Sequence, residues 1–184
     1  MRDPSETALA FDRACAAAGV AYALLGGMAV LAWGQPRYTS DVDAMVSLDR
    51  GHIAPLAEAL HRQGLKASAH DFEDAFRDRS HVTVFDDRTG FHVDVKLAFT
   101  QDERAQVLDA RRVPFGGGGL TIARPEDTIA YKLKFGSPQD LADARSILVR
   151  QEGRLDLARL ESFASRLGVA AEWERLRSEV ASRK

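Results

Sequence analysis

The sequence predicts a mixed α/β fold: a small mixed β-sheet flanked by helices, followed by a C-terminal helical region. Three observations carry this prediction. Strand-like and helix-like segments alternate up to about residue 124, a hairpin signal lies at Asp86-Asp87-Arg88-Thr89-Gly90, and every start signal from Pro125 onward is a helix start. Residues 1–124 are therefore expected to form the α/β core, and residues 125–184 a helical region packed on it.

The elements follow in order. Asp3-Pro4-Ser5-Glu6 supplies an N-cap, a proline at the first helical position and a Glu three residues after the cap, which predicts a helix to about Ala18, ended by Gly19. Val20 to Leu25 reads as a buried strand, Met28 to Trp33 as a short helix closed by Gly34, Gln35 to Ser40 as a polar loop and Asp41 to Ser47 as the second strand. Ile53, Leu56 and Leu60 give Gly51 to Gln63 helical spacing, with Gly64 as its stop. His81 to Phe85 and Phe91 to Leu97 are alternating strands on either side of the hairpin turn. Thr100-Gln101-Asp102-Glu103 is a capping box for a helix to about Ala110. Arg111 to Phe115 and Leu120 to Ala123 flank Gly116 to Gly119 as a strand pair or an extended loop. The later helices start at Pro125, Ser137-Pro138, Asp156 and about Val169.

The 184 residues carry a formal net charge of −2, with 45% hydrophobic and 28% charged side chains, the balance of a soluble globular protein. That charge gives no global attraction for nucleic acid or an anionic membrane, and no basic run exceeds Arg111-Arg112. No apolar run reaches the length of a bilayer span, and the N-terminus is too polar for a signal peptide. The single cysteine, Cys15, cannot form an internal disulfide and reads as a small core residue, so a cytoplasmic protein is expected.

The chemistry concentrates in a few positions. Alternation along a strand points Asp41 and Asp43 the same way, with Val42 turned into the core. A third carboxylate, Asp94, sits in the alternating run Phe91-His92-Val93-Asp94-Val95, where a polar side chain needs an open or paired face. Carboxylates gathered this closely are unfavourable without a cation between them. Hard oxygen donors with no clustered Cys or His suit Mg²⁺ or Mn²⁺ rather than zinc. Gly26-Gly27 alone marks a tight turn; between a strand and a helix start it also lets backbone N–H groups approach an anion. Arg37 and Thr39, just before the acidic pair, are placed to contact triphosphate oxygens, Arg37 as a bidentate donor; the other reading of Arg37 is that it neutralises Asp41 or Asp43. Asp140 is placed to cap the helix that starts at Ser137-Pro138, and Asp143 to pair with Lys132. Gly116 to Gly119 lacks a following Lys-Ser/Thr and reads as a hairpin tip, His81 and His92 read as structural or surface residues, and Trp33 reads as core packing or, beside the glycines, as an aromatic for stacking on a base. Leu155, Leu157, Leu160, Phe163, Leu167 and Trp173 form the expected buried side of the alternating-charge segment Arg154 to Lys184.

The stretch Leu24-Leu25-Gly26-Gly27-Met28-Ala29-Val30, followed by Arg37-Tyr38-Thr39-Ser40-Asp41-Val42-Asp43, resembles the signature of the DNA polymerase β-like nucleotidyltransferase superfamily. Within it the match is to the prokaryotic branch that includes AbiEii-like abortive-infection toxins. Ala123-Arg124-Pro125-Glu126-Asp127-Thr128-Ile129-Ala130-Tyr131-Lys132-Leu133-Lys134 and Gln139-Asp140-Leu141-Ala142-Asp143 resemble the same branch, so the similarity covers about residues 20–150. The resemblance implies a nucleotidyltransferase fold in which Gly26 and Gly27 hold a nucleoside triphosphate and Asp41 and Asp43 ligate the metals. Asp94 would be the third carboxylate, on the catalytic metal and helping to deprotonate the attacking hydroxyl. It also favours Lys132 over Lys134 as the phosphate-facing lysine. Relatives with Ser at the position of Gly27 differ here, leaving backbone N–H groups alone for phosphate contact. The implied reaction is transfer of a nucleoside monophosphate to a hydroxyl, with RNA as acceptor and a cognate antitoxin as partner. The alternatives are a small-molecule acceptor and a non-catalytic nucleotide-binding module of the same fold.

Overall fold

The computed structural model describes residues 4–182. Asp3, the expected N-cap of the first helix, and Lys184, the end of the expected solvated face, lie outside the described residues. The chain forms two compact units, one containing the residues up to Met28 together with Tyr38–Ala123, the other Ala29–Arg37 together with the chain from Arg124 onward.

The first unit opens with α1 (Pro4–Ala18) and β1 (Ala21–Leu24); α2 (Gly26–Trp33) begins in this unit and ends in the second. There follow β2 (Val42–Ser47), α3 (Ile53–Arg62), β3 (Leu65–Lys66), α4 (Ala69–Asp78), β4 (His81–Asp86), β5 (His92–Leu97), α5 (Gln101–Leu108), β6 (Arg111–Phe115) and β7 (Gly118–Ile122). The seven strands make one mixed sheet in the order β3-β4-β5-β2-β1-β7-β6. Strand β2 runs antiparallel to β1 and parallel to β5, and β1 runs parallel to β7. The mixed sheet with flanking helices and later helical region is the fold class that the sequence predicts.

Alternation decides which face is dry. Val82, Val84, Val93, Val95 and Leu97 are buried, and α1, against which α3 and several strands pack, contributes Phe11, Ala14 and Cys15 to the same interior. Burial pushes the Cys15 thiol far above its ordinary pKa, with a smaller push from Asp12, so it is a neutral core residue. On the opposite face α5 packs on β1 and β2, burying Met45 with Ala98 and Val107.

Two local features refine the sequence reading. The glycines after Phe115 make a two-residue turn with Gly116 and Gly117 at φ 51° and 77°, so β6 and β7 are a hairpin rather than a loop. Helix α4 has no counterpart among the sequence expectations. Its signals are a capping box between Ser68 and Asp71 and the buried residues Phe72 and Ala75.

The Thr100 capping box forms as predicted, with Glu103 Oε2 accepting from the backbone N–H groups of Phe99 and Thr100 at 2.9 and 3.0 Å, and Oε1 from Lys96 Nζ at 2.6 Å. Burial works to raise the Glu103 carboxyl, but the hydrogen bonds from Lys96, Thr100 and Phe99 outweigh it and hold it at about 2. The folded state then binds fewer protons than the unfolded chain between the ordinary value of 4.5 and about 2. Its stabilisation is complete above that window and lost as pH falls through it. Allowing for solvent around Lys96, about 2 kcal/mol is at stake. Chemical denaturation from pH 6 to pH 2 is expected to show an acid-side loss that Glu103→Gln reduces by about this amount.

The second unit consists of the end of α2, α6 (Pro125–Phe135), α7 (Pro138–Arg150), α8 (Leu157–Leu167) and α9 (Ala170–Ala181). Val30, Ile129, Leu133, Ile147, Leu160, Phe163 and Trp173 meet in its core, with Leu155, Leu167 and Trp33 partly buried against them. Leu157 departs from expectation: it is 42% exposed, because as the first residue of α8 it follows the Asp156 cap, outside the apolar stripe. No helix among the described residues is long and apolar enough to cross a membrane.

Candidate active site

The site in the first unit grows from the parallel pairing of β2 and β5. Their register sets Val42 opposite Val93 and Asp43 opposite Asp94. Because side chains alternate, the two valines share the buried face and the two aspartates share the other, about 5 Å apart between neighbouring strands. Both aspartates are half-buried. Further along that face Met45 lies under α5, so α5 closes one end and leaves the carboxylate end open. Thr83 faces Asp94 across the antiparallel β4–β5 pair and its Oγ1 donates to Asp94 Oδ1 at 2.8 Å. His92 Nε2 lies 3.6 Å from Asp94 Oδ2.

The turn from β1 into α2 is built against the same carboxylate. Leu25 N donates to Asp43 O at 2.8 Å, and Gly26 follows at φ +52°. A Cβ on Gly26 would stand 2.1 Å from Asp43 Oδ2, and one on Gly27 would stand 2.2 Å from Thr39 Oγ1. The glycine pair is thus required by two side chains that rest on its α-carbons. The helical hydrogen bonding of α2 starts at these glycines, earlier than the expected Met28. Thr39 is buried, and its Oγ1 also donates to the backbone O of Asp41 at 3.3 Å. Asp41 is exposed and its Oδ1 accepts from Ser40 Oγ at 2.9 Å. Gly26, Gly27, Thr39, Asp41, Asp43 and Asp94 are therefore linked, directly or through one neighbour.

Gly26→Ala is expected to destabilise the protein by about 2 kcal/mol, because alanine is strained at this φ and its methyl displaces the Asp43 carboxylate. Thermal or urea unfolding reads the loss. A variant as stable as the wild type would mean that Asp43 does not rest on this turn.

Arg37 and Lys132 lie in the second unit, where both hold Asp143. Arg37 Nε and Nη2 donate to the two carboxylate oxygens of Asp143 at 2.9 Å each, and Lys132 Nζ approaches Asp143 Oδ2 at 3.0 Å and Asp140 Oδ1 at 2.8 Å. Gln139 Nε2 adds a fourth donor at 2.9 Å. Burial works to raise the Asp143 carboxyl, but Arg37, Gln139 and Lys132 together hold it below the ordinary range. Asp140 caps α7 as expected, accepting from Ser137 Oγ while Ser137 Oγ accepts from Asp140 N.

Among the described residues, no group of three or more His, Cys, Asp or Glu side chains has converged to hold a metal ion. The donors still fit a hard divalent cation in kind: two carboxylates in register on adjacent strands, open to solvent, and a third two residues before one of them. Thr83 and Ser40 are the contributors that the sequence reading did not single out. The signal for Thr83 is the alternation of His81 to Phe85, which places it on the face opposite Val82 and Val84.

No family profile matches the sequence, and no curated protein is significantly similar to it. Solved structures are similar. The solution structure of antibiotic-resistance factor ANT(2'')-Ia matches over 97% of this chain and 98% of its own, at 13% identity and a TM-score of 0.56. The crystal structure of an antigenic nucleotidyltransferase-like protein from Paracoccidioides brasiliensis matches over 98% of this chain and 94% of its own, at 18% identity and a TM-score of 0.50. The chain has a nucleotidyltransferase-like fold.

Proposed function

We propose that the protein is a metal-dependent nucleotidyltransferase that moves a nucleoside monophosphate from a nucleoside triphosphate to a hydroxyl of a small molecule. The observation that carries this reading is the register of Asp43 with Asp94 beside a glycine turn that opens a helix. The backbone N–H groups at the start of α2 would take the triphosphate, drawn by the helix dipole. Asp41, Asp43 and Asp94 would hold Mg²⁺ or Mn²⁺. When bound, such a cation neutralises phosphate charge and lowers the pKa of an acceptor hydroxyl. Asp94 would accept the proton of that hydroxyl as its oxygen attacks the α-phosphorus in line and pyrophosphate departs. Arg37 and Lys132 are left with Asp143, since phosphate binding would cost each a buried ion pair.

Two observations favour a small acceptor. The likeness of fold extends over 97% of the chain to an antibiotic-resistance factor. The net charge of −2 and the lack of long basic runs also fit poorly with an RNA backbone, whose affinity comes chiefly from phosphate neutralisation. The toxin reading, with an RNA acceptor and an antitoxin partner, rests on the sequence resemblance alone.

The test is incubation with Mg²⁺ and each α-labelled nucleoside triphosphate, against hydroxyl-bearing small molecules, aminoglycosides among them, and against total RNA. Label on a small molecule supports the proposal. Label on RNA moves the acceptor to the toxin reading, and no transfer with any donor and no stabilisation by nucleotide with Mg²⁺ overturns it.

A further inference from the structure

We infer that Thr83 is a positioning residue for Asp94, fixing the carboxylate through its hydroxyl so that the site binds a divalent cation. This rests on the assignment of Asp94 as a metal ligand. Thr83 and Asp94 are direct partners in the β4–β5 ladder, and Thr83 Oγ1 donates to Asp94 Oδ1 at 2.8 Å. The ladder fixes both backbones, and a β-branched side chain has little χ1 freedom, so the hydroxyl approaches from a set direction. It engages one carboxylate oxygen and restricts rotation of the carboxyl about its Cβ–Cγ bond. Asp43 lies across the other strand boundary and cannot serve this purpose, since it carries the same charge.

The alternative is that Thr83 merely fills its place in the strand. Valine has the same shape and a higher strand preference, so Thr83→Val removes the hydroxyl and little else, while Thr83→Ser keeps the hydroxyl and removes the methyl. A ligand's hydrogen-bond partner typically governs metal affinity by ten- to a hundredfold.

Binding of Mn²⁺ alone is measured by the electron paramagnetic resonance signal of the free ion, with unfolding of each variant followed in parallel. Wild type and Thr83→Ser are expected to bind within about threefold of each other. Thr83→Val is expected to bind about tenfold more weakly at undiminished melting temperature. Equal binding by Thr83→Val and wild type overturns the inference. So does a loss in Thr83→Ser as large as in Thr83→Val, because the methyl rather than the hydroxyl would then matter. Asp94→Asn separates this failure from that of the underlying reading: if it binds Mn²⁺ as wild type does, Asp94 is no ligand and both fall.

Discussion

Asp43→Asn is expected to lower nucleotidyl transfer by about a thousandfold or more while leaving the fold intact. The asparagine has the aspartate's shape, so it still fits over Gly26, where a Cβ would stand 2.1 Å from the carboxylate oxygen. It lacks the charge. Stabilisation of developing phosphate charge by a held cation is worth several kcal/mol, and about 4 kcal/mol corresponds to a thousandfold in rate. In the absence of metal the folded protein is expected to gain slightly in stability, because Asp43 and Asp94 are like charges on adjacent strands. Transfer of label from the preferred triphosphate and a metal-free melting curve are the two readouts. Activity within tenfold of wild type would remove Asp43 from the metal assignment.

The parts of this architecture that depend on neighbouring residues were legible in the sequence. Helices α6, α7, α8 and α9 begin where Pro125, Ser137-Pro138, Asp156 and Val169 predict, because caps and first-turn prolines act within one turn. Asp94 stood out because it interrupts a run of valines. Its pairing with Asp43 was not legible, since strand register is set by packing between segments far apart in the chain. The partner of Arg37 was hidden for the same reason: Asp143 lies 106 residues away, and the nearer Asp41 and Asp43 compete for it on paper. Helix α4 is a different case. Its capping box was present, but its short apolar stripe, in which Phe72 and Ala75 are buried, sits among charges that dilute the periodic signal.

Asp143→Ala is expected to destabilise the protein by about 3 kcal/mol at neutral pH. The Asp143 side chain is 3% exposed and that of Lys132 10%, so deleting the carboxylate strands charges that water reaches poorly. Arg37, at 32%, is better solvated, and Lys132 retains Asp140. Most of the loss is therefore the incomplete compensation of Lys132 together with four lost hydrogen-bonding contacts. A double-mutant cycle tests this division. Lys132→Met alone also costs stability, since it leaves Asp143 with Arg37 and Gln139 only. Combined with Asp143→Ala it removes both ends of the pair, so the double variant should be less destabilised than the sum of the singles by about 1–3 kcal/mol. Additive losses in urea unfolding would mean that the lysine answers mainly to Asp140. A loss below about 0.5 kcal/mol for Asp143→Ala would mean that the cluster is as screened as a surface pair.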